Sequence, residues 1–186
     1  MKKILLAIGV FVIMSVGALA GEKVQLGLIN PVQLVPEGSS VDGLRLGLIY
    51  TKNSSVKGLD MNWLISETTG RMEGVQVFGL FNKIGGGKGG QVFNFINYST
   101  GDFEGVELAT INVTKGFKGG RLAAINYSEN LDGAEVAWVN ISKNVKGFQI
   151  GFVNYTENME SGLQIGLVNV FTNGKMPVLP IINGKF

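Results

Sequence analysis

The chain has no cysteine and no histidine among its 186 residues. Without cysteine there is no disulfide, no thiolate nucleophile and no sulfur ligand for a metal. Without histidine the commonest general base and the imidazole metal ligand are also missing. We therefore predict no catalytic site, no metal site and no cofactor. The stability of the fold has to come from packing and backbone hydrogen bonds.

Charge is also scarce, since only 16% of the residues are charged. The formal net charge of +2 is accounted for by Lys2 and Lys3, and no basic block occurs in the rest of the chain. A partner rich in phosphate attracts clustered lysine and arginine, so nucleic acid is not an expected partner. With 45% hydrophobic residues, the chain is expected to fold throughout as one domain.

The first twenty residues have the pattern of a secretory signal peptide. Lys2 and Lys3 form the charged region, residues 4–16 are apolar, and Ala18-Leu19-Ala20 offers small residues for cleavage. An uncleaved N-terminal anchor is the alternative. We predict a signal peptide over 1–20 and a single all-β repeat domain over 21–186, exported to the periplasm, the outer membrane or the cell surface of a Gram-negative bacterium.

A unit of 14 to 16 residues recurs about ten times along the rest of the chain. Each copy runs from a glycine through alternating apolar and polar residues to asparagine, as in 133–140, 147–154 and 162–169. The asparagine position is occupied by Asn30, Asn82, Asn97, Asn112, Asn126, Asn140, Asn154 and Asn169. Tyr50 and Ile65 take that position in two early copies. Such a fixed period indicates one supersecondary unit repeated many times.

The alternation within a copy has the period of a β-strand, and the repeat predicts an all-β fold. The favoured architecture is a parallel β-solenoid in which each copy is one coil and equivalent residues stack. The charges before each glycine support it, because they alternate in sign without interruption: Asp42, Lys57, Glu73, Lys88, Glu104, Lys118, Asp132 and Lys146. An antiparallel meander, open or closed as a small β-barrel, is the alternative, because several loops resemble hairpin turns.

The solenoid interpretation also assigns the two faces of each strand. Phe148, Ile150 and Phe152 are expected to form the core, and Gln149 is expected to be exposed with Gln164 stacked on it. Proline at both ends of the repeat array is expected to stop the sheet from pairing with other molecules.

Several residue patterns suggest chemistry, and each has a simpler structural interpretation. Glu107 and Glu135 share a repeat position, but Arg121 lies between them, which indicates an ion ladder in solvent instead of an acid and base pair. The glycine run 85–90 precedes no helix and is interpreted as a loose turn, with a bulge nearby.

Two further patterns lie on the outer part of each unit. Asn53, Asn97, Asn112, Asn126, Asn140 and Asn154 each precede Ser or Thr by two places, as glycosylation acceptors do. Their phase with the repeat favours a structural role at the corners. Tyr98, Tyr127 and Tyr155 form either a strip that stacks on sugar rings or partly buried packing.

The units Gly147-Phe-Gln-Ile-Gly-Phe-Val-Asn154 and Gly162-Leu-Gln-Ile-Gly-Leu-Val-Asn169 resemble the repeat of a family of bacterial surface-repeat proteins of unassigned function. Residues 25–31, 43–50 and 177–183 resemble its opening and closing segments. Middle copies such as 90–97 depart from the pattern. The resemblance implies an exported envelope protein and supplies no catalytic residues.

The favoured function is therefore a non-enzymatic structural or interaction protein of the envelope, presenting Gln, Glu and Arg to an unknown partner. Two alternatives remain open. One is a small β-barrel that binds an apolar ligand or sits in the outer membrane. The other is a carbohydrate-active β-helix, which requires acidic residues gathered in one groove.

Overall fold

The computed structural model describes residues 23–186 and consists almost entirely of strand. The predicted signal peptide lies outside the described residues. The strands are β1 (Val24–Ile29), β2 (Val32–Gln33), β3 (Ser40–Asn53), β4 (Ser55–Asn62), β5 (Ile65–Val77), β6 (Phe81–Leu122), β7 (Ile125–Val136), β8 (Val139–Ile150), β9 (Val153–Phe171) and β10 (Val178–Lys185). Among these residues no helix is long and apolar enough to cross a membrane.

Each repeat pairs in parallel with the next, so the chain forms one continuous stack of coils. This is the predicted β-solenoid. Gly119 pairs with Gly133, Gly133 with Gly147, and Gly147 with Gly162. The antiparallel meander and the small β-barrel built from it are therefore wrong, because consecutive copies run in the same direction. Within the described part of the chain only the two ends pair antiparallel, β2 with β1 and β10 with β9.

We number the coils 1 to 10 in chain order. Coil 1 begins with β1 and includes the insert that precedes Ser40. The others are coil 2 (40–54), coil 3 (55–70), coil 4 (71–85), coil 5 (86–101), coil 6 (102–115), coil 7 (116–129), coil 8 (130–143), coil 9 (144–157) and coil 10 (158–173). In this register Thr51 and Ser66 lie in the asparagine position, so the assignment of Tyr50 and Ile65 to that position is wrong by one residue.

The glycine that opens each repeat unit is required by the backbone. Gly119 has a φ of 132°, and a Cβ atom there would lie 2.1 Å from the carbonyl oxygen of Gly105 in the coil below. Gly133 repeats this geometry against Gly119. Both the positive φ and the close approach exclude a side chain, which explains why the unit keeps glycine at this position.

The apolar core is a column near one corner of the coils, and it consists of residues other than those predicted. It contains Met72, Ile84, Phe103, Phe117, Leu131, Val145, Met159 and Phe171. The rings of Phe103 and Phe117 stack with centroids 6.5 Å apart. A second small cluster joins Val35, Val41 and Val56 under the N-terminal insert.

The predicted assignment of faces is wrong, because Phe148, Ile150 and Phe152 are exposed and Gln149 is completely buried. The strand alternation is as expected, but the polar set points inward. The interior is tolerable for amides because in-register stacking gives each one a partner in the next coil.

Candidate functional site

An asparagine ladder runs through the interior from coil 5 to coil 10. It consists of Asn97, Asn112, Asn126, Asn140, Asn154 and Asn169, all buried. The Nδ2 of each donates to the Oδ1 of the next over 2.8 to 3.0 Å. Five of the six Asn-x-Ser/Thr motifs noted in the sequence start in this ladder, and the sixth starts at Asn53, which is also buried. The ladder asparagines lie in strands just after the corner, and Asn53 lies two positions further along its coil, in the column of Thr68.

The second interior column, which we call the glutamine column, contains one polar side chain from each coil. Its members are Gln25, Arg45, Asp60, Gln76, Gln91, Glu107, Arg121, Glu135, Gln149 and Gln164. Gln149 shows the pattern: its Nε2 donates to Glu135 over 2.6 Å, and its Oε1 accepts from Gln164 and from the Thr156 hydroxyl. These side chains were expected on the surface, and their hydrogen bonds explain why they are inside.

The charged members of the glutamine column are paired. Arg45 forms a bidentate ion pair with Asp60, in which Nε donates to Oδ1 over 2.7 Å and Nη2 donates to Oδ2 over 2.6 Å. Arg121 donates from Nε and Nη2 to the same oxygen of Glu135, Oε2, and Nη2 also donates to the Ser128 hydroxyl. The expected column of Glu107, Arg121 and Glu135 therefore exists, but it is buried and not solvated. Buried charges persist only when they are paired in this way.

The buried position of Glu107 perturbs its ionisation. Burial raises the pKa of its carboxyl to about 7, although Arg121 and the Thr114 hydroxyl act in the opposite direction. Its Oε2 lies 3.9 Å from the Arg121 Nη1. In the neighbouring coil the buried Oε1 of Gln91 has no hydrogen-bond partner among the described residues. A protonated Glu107 is suited to donate to such an acceptor.

The outer surface has two different long edges. The first, which we call the polar edge, contains the residues at which coils 7 to 10 begin: Gly116, Asn130, Asn144 and Asn158. Asn144 there donates to Asn130 over 2.9 Å, and Asn158 donates to Asn144 over 3.2 Å. Lysine and acidic residues flank this exposed amide ladder, and Lys118, Asp132 and Lys146 lie on consecutive coils as predicted.

An open groove of about 1000 Å³ follows the polar edge from coil 4 to coil 10. Asn130, Asn144 and Asn158 line it together with charges of both signs, such as Lys118, Asp132 and Lys146. The amides repeat once per coil, about every 4.8 Å, and the charges repeat every second coil. Chemically it offers a row of amides and charges of both signs, which suit an extended polar partner.

The opposite edge, which we call the apolar edge, is formed by the corner that precedes the asparagine ladder in each coil. Its exposed side chains are Leu28, Leu48, Trp63, Leu64, Phe78, Leu80, Phe93, Phe95, Trp138, Phe152 and Leu167. Both tryptophans of the chain are among them. These bulky apolar residues form a strip along the solenoid, with an interruption at coils 6 and 7. The periodicity of the sequence did not predict this strip.

Of the three tyrosines, Tyr98 is exposed and stacks on Phe81, and Tyr127 and Tyr155 are at intermediate exposure. The glycine run 85–90 continues the parallel sheet instead of forming a loose turn. Among residues 23–186 no group of three acidic residues could hold a metal ion.

No family of known proteins, no curated protein and no solved structure matches this chain.

Proposed function

We propose that the protein is a non-enzymatic, exported protein of the bacterial envelope that binds an extended polar partner along its polar edge. The single observation that carries this proposal is the groove of alternating charges and stacked amides, repeated coil after coil. A repeat of this kind suits a partner that is itself extended and contacts many coils at once.

The use of the interior polar groups supports a binding role. Gln149, Glu135 and Arg121 are engaged with each other and are closed to solvent. The carboxylates of the groove, such as Asp132, lie between lysines on the neighbouring coils. General acid and base catalysis requires convergent groups with separated pKa values, and the alternating columns favour solvated ion pairs instead.

The N-terminal sequence supports export. Lys2 and Lys3, the apolar stretch 4–16 and Ala18-Leu19-Ala20 follow the order of a signal peptide. The resemblance of the repeat units to surface-repeat proteins of Gram-negative envelopes is consistent with that route. We expect the exported chain to begin at Gly21, and N-terminal sequencing of the protein recovered outside the cytoplasm tests this expectation.

Co-sedimentation with insoluble cell-wall polymer, and binding to soluble lipopolysaccharide, test the partner class. Lys146→Glu should weaken binding at least several-fold, because Asp132 on the adjacent coil then faces a second negative charge inside the groove. Lys57→Glu is the matched control. Lys57 occupies the same column beside Asp42 and Glu73, but it lies away from the groove.

Equal loss of binding in the two variants would show that the groove is not the binding surface. Saturable turnover of a glycan or an ester by the purified protein would contradict the non-enzymatic role itself. The two results are separable, because the first compares variants and the second needs only the unmodified protein.

A further inference from the structure

Three exposed residues, two of them on the apolar edge and the third in β10, have a backbone conformation that their side chains disfavour. Phe78, Phe93 and Ile181 have φ values of 64°, 58° and 67°, and they are the non-glycine residues of positive φ among the described part of the chain. All three are exposed, at 52%, 67% and 73%. Left-handed backbone at bulky residues costs about 1 to 3 kcal/mol each, and glycine would avoid that cost. The strain projects apolar side chains outward, which indicates a contact surface.

The apolar edge also has relief along its length. In coils 4 and 5 it projects, because Phe78 and Phe93 stack with ring centroids 6.5 Å apart and Leu80 and Phe95 lie beside them. We call this the knob. In coils 6 and 7 the same corner holds only Ala109, Thr110, Ala123 and Ala124, which we call the recess.

The positions of knob and recess match one arrangement of two copies. If two solenoids pack edge to edge in opposite directions with all ten coils overlapping, coil 4 faces coil 7 and coil 5 faces coil 6. Each knob then meets the partner's recess, in both halves of the interface, as two-fold symmetry requires. The same register places coil 3 opposite coil 8, so Trp63 meets Trp138. A parallel pair would set knob against knob and recess against recess.

The size of the edge is sufficient for such a pair. It extends over nine coil spacings of about 4.8 Å, or roughly 43 Å, and it is about 15 Å wide. Two copies would bury on the order of 1200 Å² in total, which is at the lower end of stable interfaces. The edge residues named above include no charged side chain, as is typical of the centre of a homodimer interface.

We propose that the apolar edge is the interface of an antiparallel two-fold dimer in which the knob of each copy fills the recess of the other. Fluid lipid chains are the other apolar partner that could cover this edge. They have no fixed shape, so the match between knob and recess at full overlap favours a second copy of the protein. The proposal is independent of the polar edge, which lies on the opposite side and remains open in the dimer.

Sedimentation equilibrium of the purified protein should show a dimer at micromolar concentration. The double variant Phe78→Gly/Phe93→Gly should be monomeric, with at least a tenfold weaker association, because it removes both rings of the knob. It should keep its fold, since glycine adopts the left-handed backbone without strain. The control Val75→Ser/Val106→Ser, two exposed apolar residues on the flat face of the coils, should remain dimeric.

Single spin labels on introduced cysteines test the direction, and the cysteine-free sequence makes each label unique. Position 106 in coil 6 and position 44 in coil 2 lie in one column. In the antiparallel dimer the two copies of position 106 are one coil spacing apart along the axis, and those of position 44 are seven, about 34 Å. Equal distances at the two positions would overturn the antiparallel arrangement. A monomer at every concentration, or a monomer that floats with phosphatidylcholine vesicles, would overturn the dimer.

Discussion

At the scale of single residues, the interior of this solenoid depends on polar complementarity between columns. A side chain of the glutamine column is bonded to its neighbour in the next coil and to a hydroxyl seven residues later. Gln149 with Thr156 and Glu135 with Ser142 are examples. A buried amide in this position stabilises the fold only while all of its hydrogen-bond partners are present. A buried polar group that loses its partner costs its full desolvation free energy.

Replacing Gln149 with leucine should therefore destabilise the fold by about 2 to 4 kcal/mol. The change removes the donor to Glu135 and the acceptor of both Gln164 and Thr156. Phe148→Gln is the control on the neighbouring, exposed residue, and it should change stability by less than about 1 kcal/mol. Urea unfolding monitored by circular dichroism measures both, and similar midpoints would contradict the inward orientation of Gln149.

Glu107 should make the stability of the protein depend on pH. Its folded pKa of about 7 lies above the value of an unfolded glutamate, so the folded state binds the extra proton. The resulting stability is fully present below about pH 4.3 and is lost as the pH rises through about 7. Glu107→Gln should remove this slope and stabilise the protein at pH 8 by on the order of 2 kcal/mol.

The glutamine substitution also has a structural partner. Gln91 donates to Gln76, while its own Oε1 has no partner among the described residues, so a glutamine at position 107 can continue the ladder in the same direction. Chemical denaturation at pH 5 and pH 8 provides the measurement. A variant less stable than the parent at pH 8 would show that Glu107 is held as a carboxylate by Arg121.

At the scale of the coil, much could be predicted from the sequence, since period, strand character and charge alternation fix parallel stacking. Which face of each strand points inward could not be predicted, because an alternation of period two looks the same whichever face is inside. One signal within the chain could have decided it. The outward column varies from Gly120 and Ala134 to Phe148, a range of volumes that a packed interior does not tolerate.

The candidate surfaces were harder to predict than the coil. The alternating charges of the polar edge follow from the sequence, but the apolar edge depends on which face is outside. The left-handed backbone at Phe78 and Phe93 has no sequence signal, because phenylalanine is rare in that conformation. Coils 2 to 5 each carry one residue more between the opening glycine and the asparagine position than coils 6 to 10, but among these only coils 4 and 5 have a phenylalanine of positive φ there. A bulge was expected in the copy 74–82, which contains Phe78.

The glycine that opens each coil offers a sharp test of the stacking. Gly119→Ala should destabilise by more than about 3 kcal/mol or prevent folding, because the new Cβ meets the Gly105 carbonyl oxygen and φ is 132°. Gly120→Ala is the adjacent control. No atom lies within 4 Å of a Cβ at Gly120, so stability should change by less than about 1 kcal/mol. Thermal unfolding compares the two, and equal melting temperatures would contradict the coil register.

At the scale of the whole molecule, the charges give the solenoid a period of two coils although the backbone has a period of one. Lys118, Asp132 and Lys146 alternate on one column, and Glu129 and Lys143 form an ion pair on another. Inside, Arg121 lies between Glu107 and Glu135. Solenoid stability is approximately a sum over coils and their interfaces, so removal of whole coils is tolerable when the new interface is compatible.

Deleting coil 8 (130–143) should therefore destabilise more than deleting coils 7 and 8 together (116–143). The shorter deletion places Lys118 next to Lys146 and Glu129 next to Glu157, and it takes Glu135 away from Arg121. The longer deletion removes Arg121 as well, restores opposite charges between Glu104 and Lys146, and leaves Gln149 a carboxylate acceptor at Glu107.

Urea midpoints of the two deletion variants, compared in low and high salt, measure the difference in stability. Added salt should narrow the gap by screening the surface columns, but it should not close it, because the buried Arg121 remains without its closest partner. A more stable single-coil deletion would show that the charge columns do not determine which coils can be neighbours.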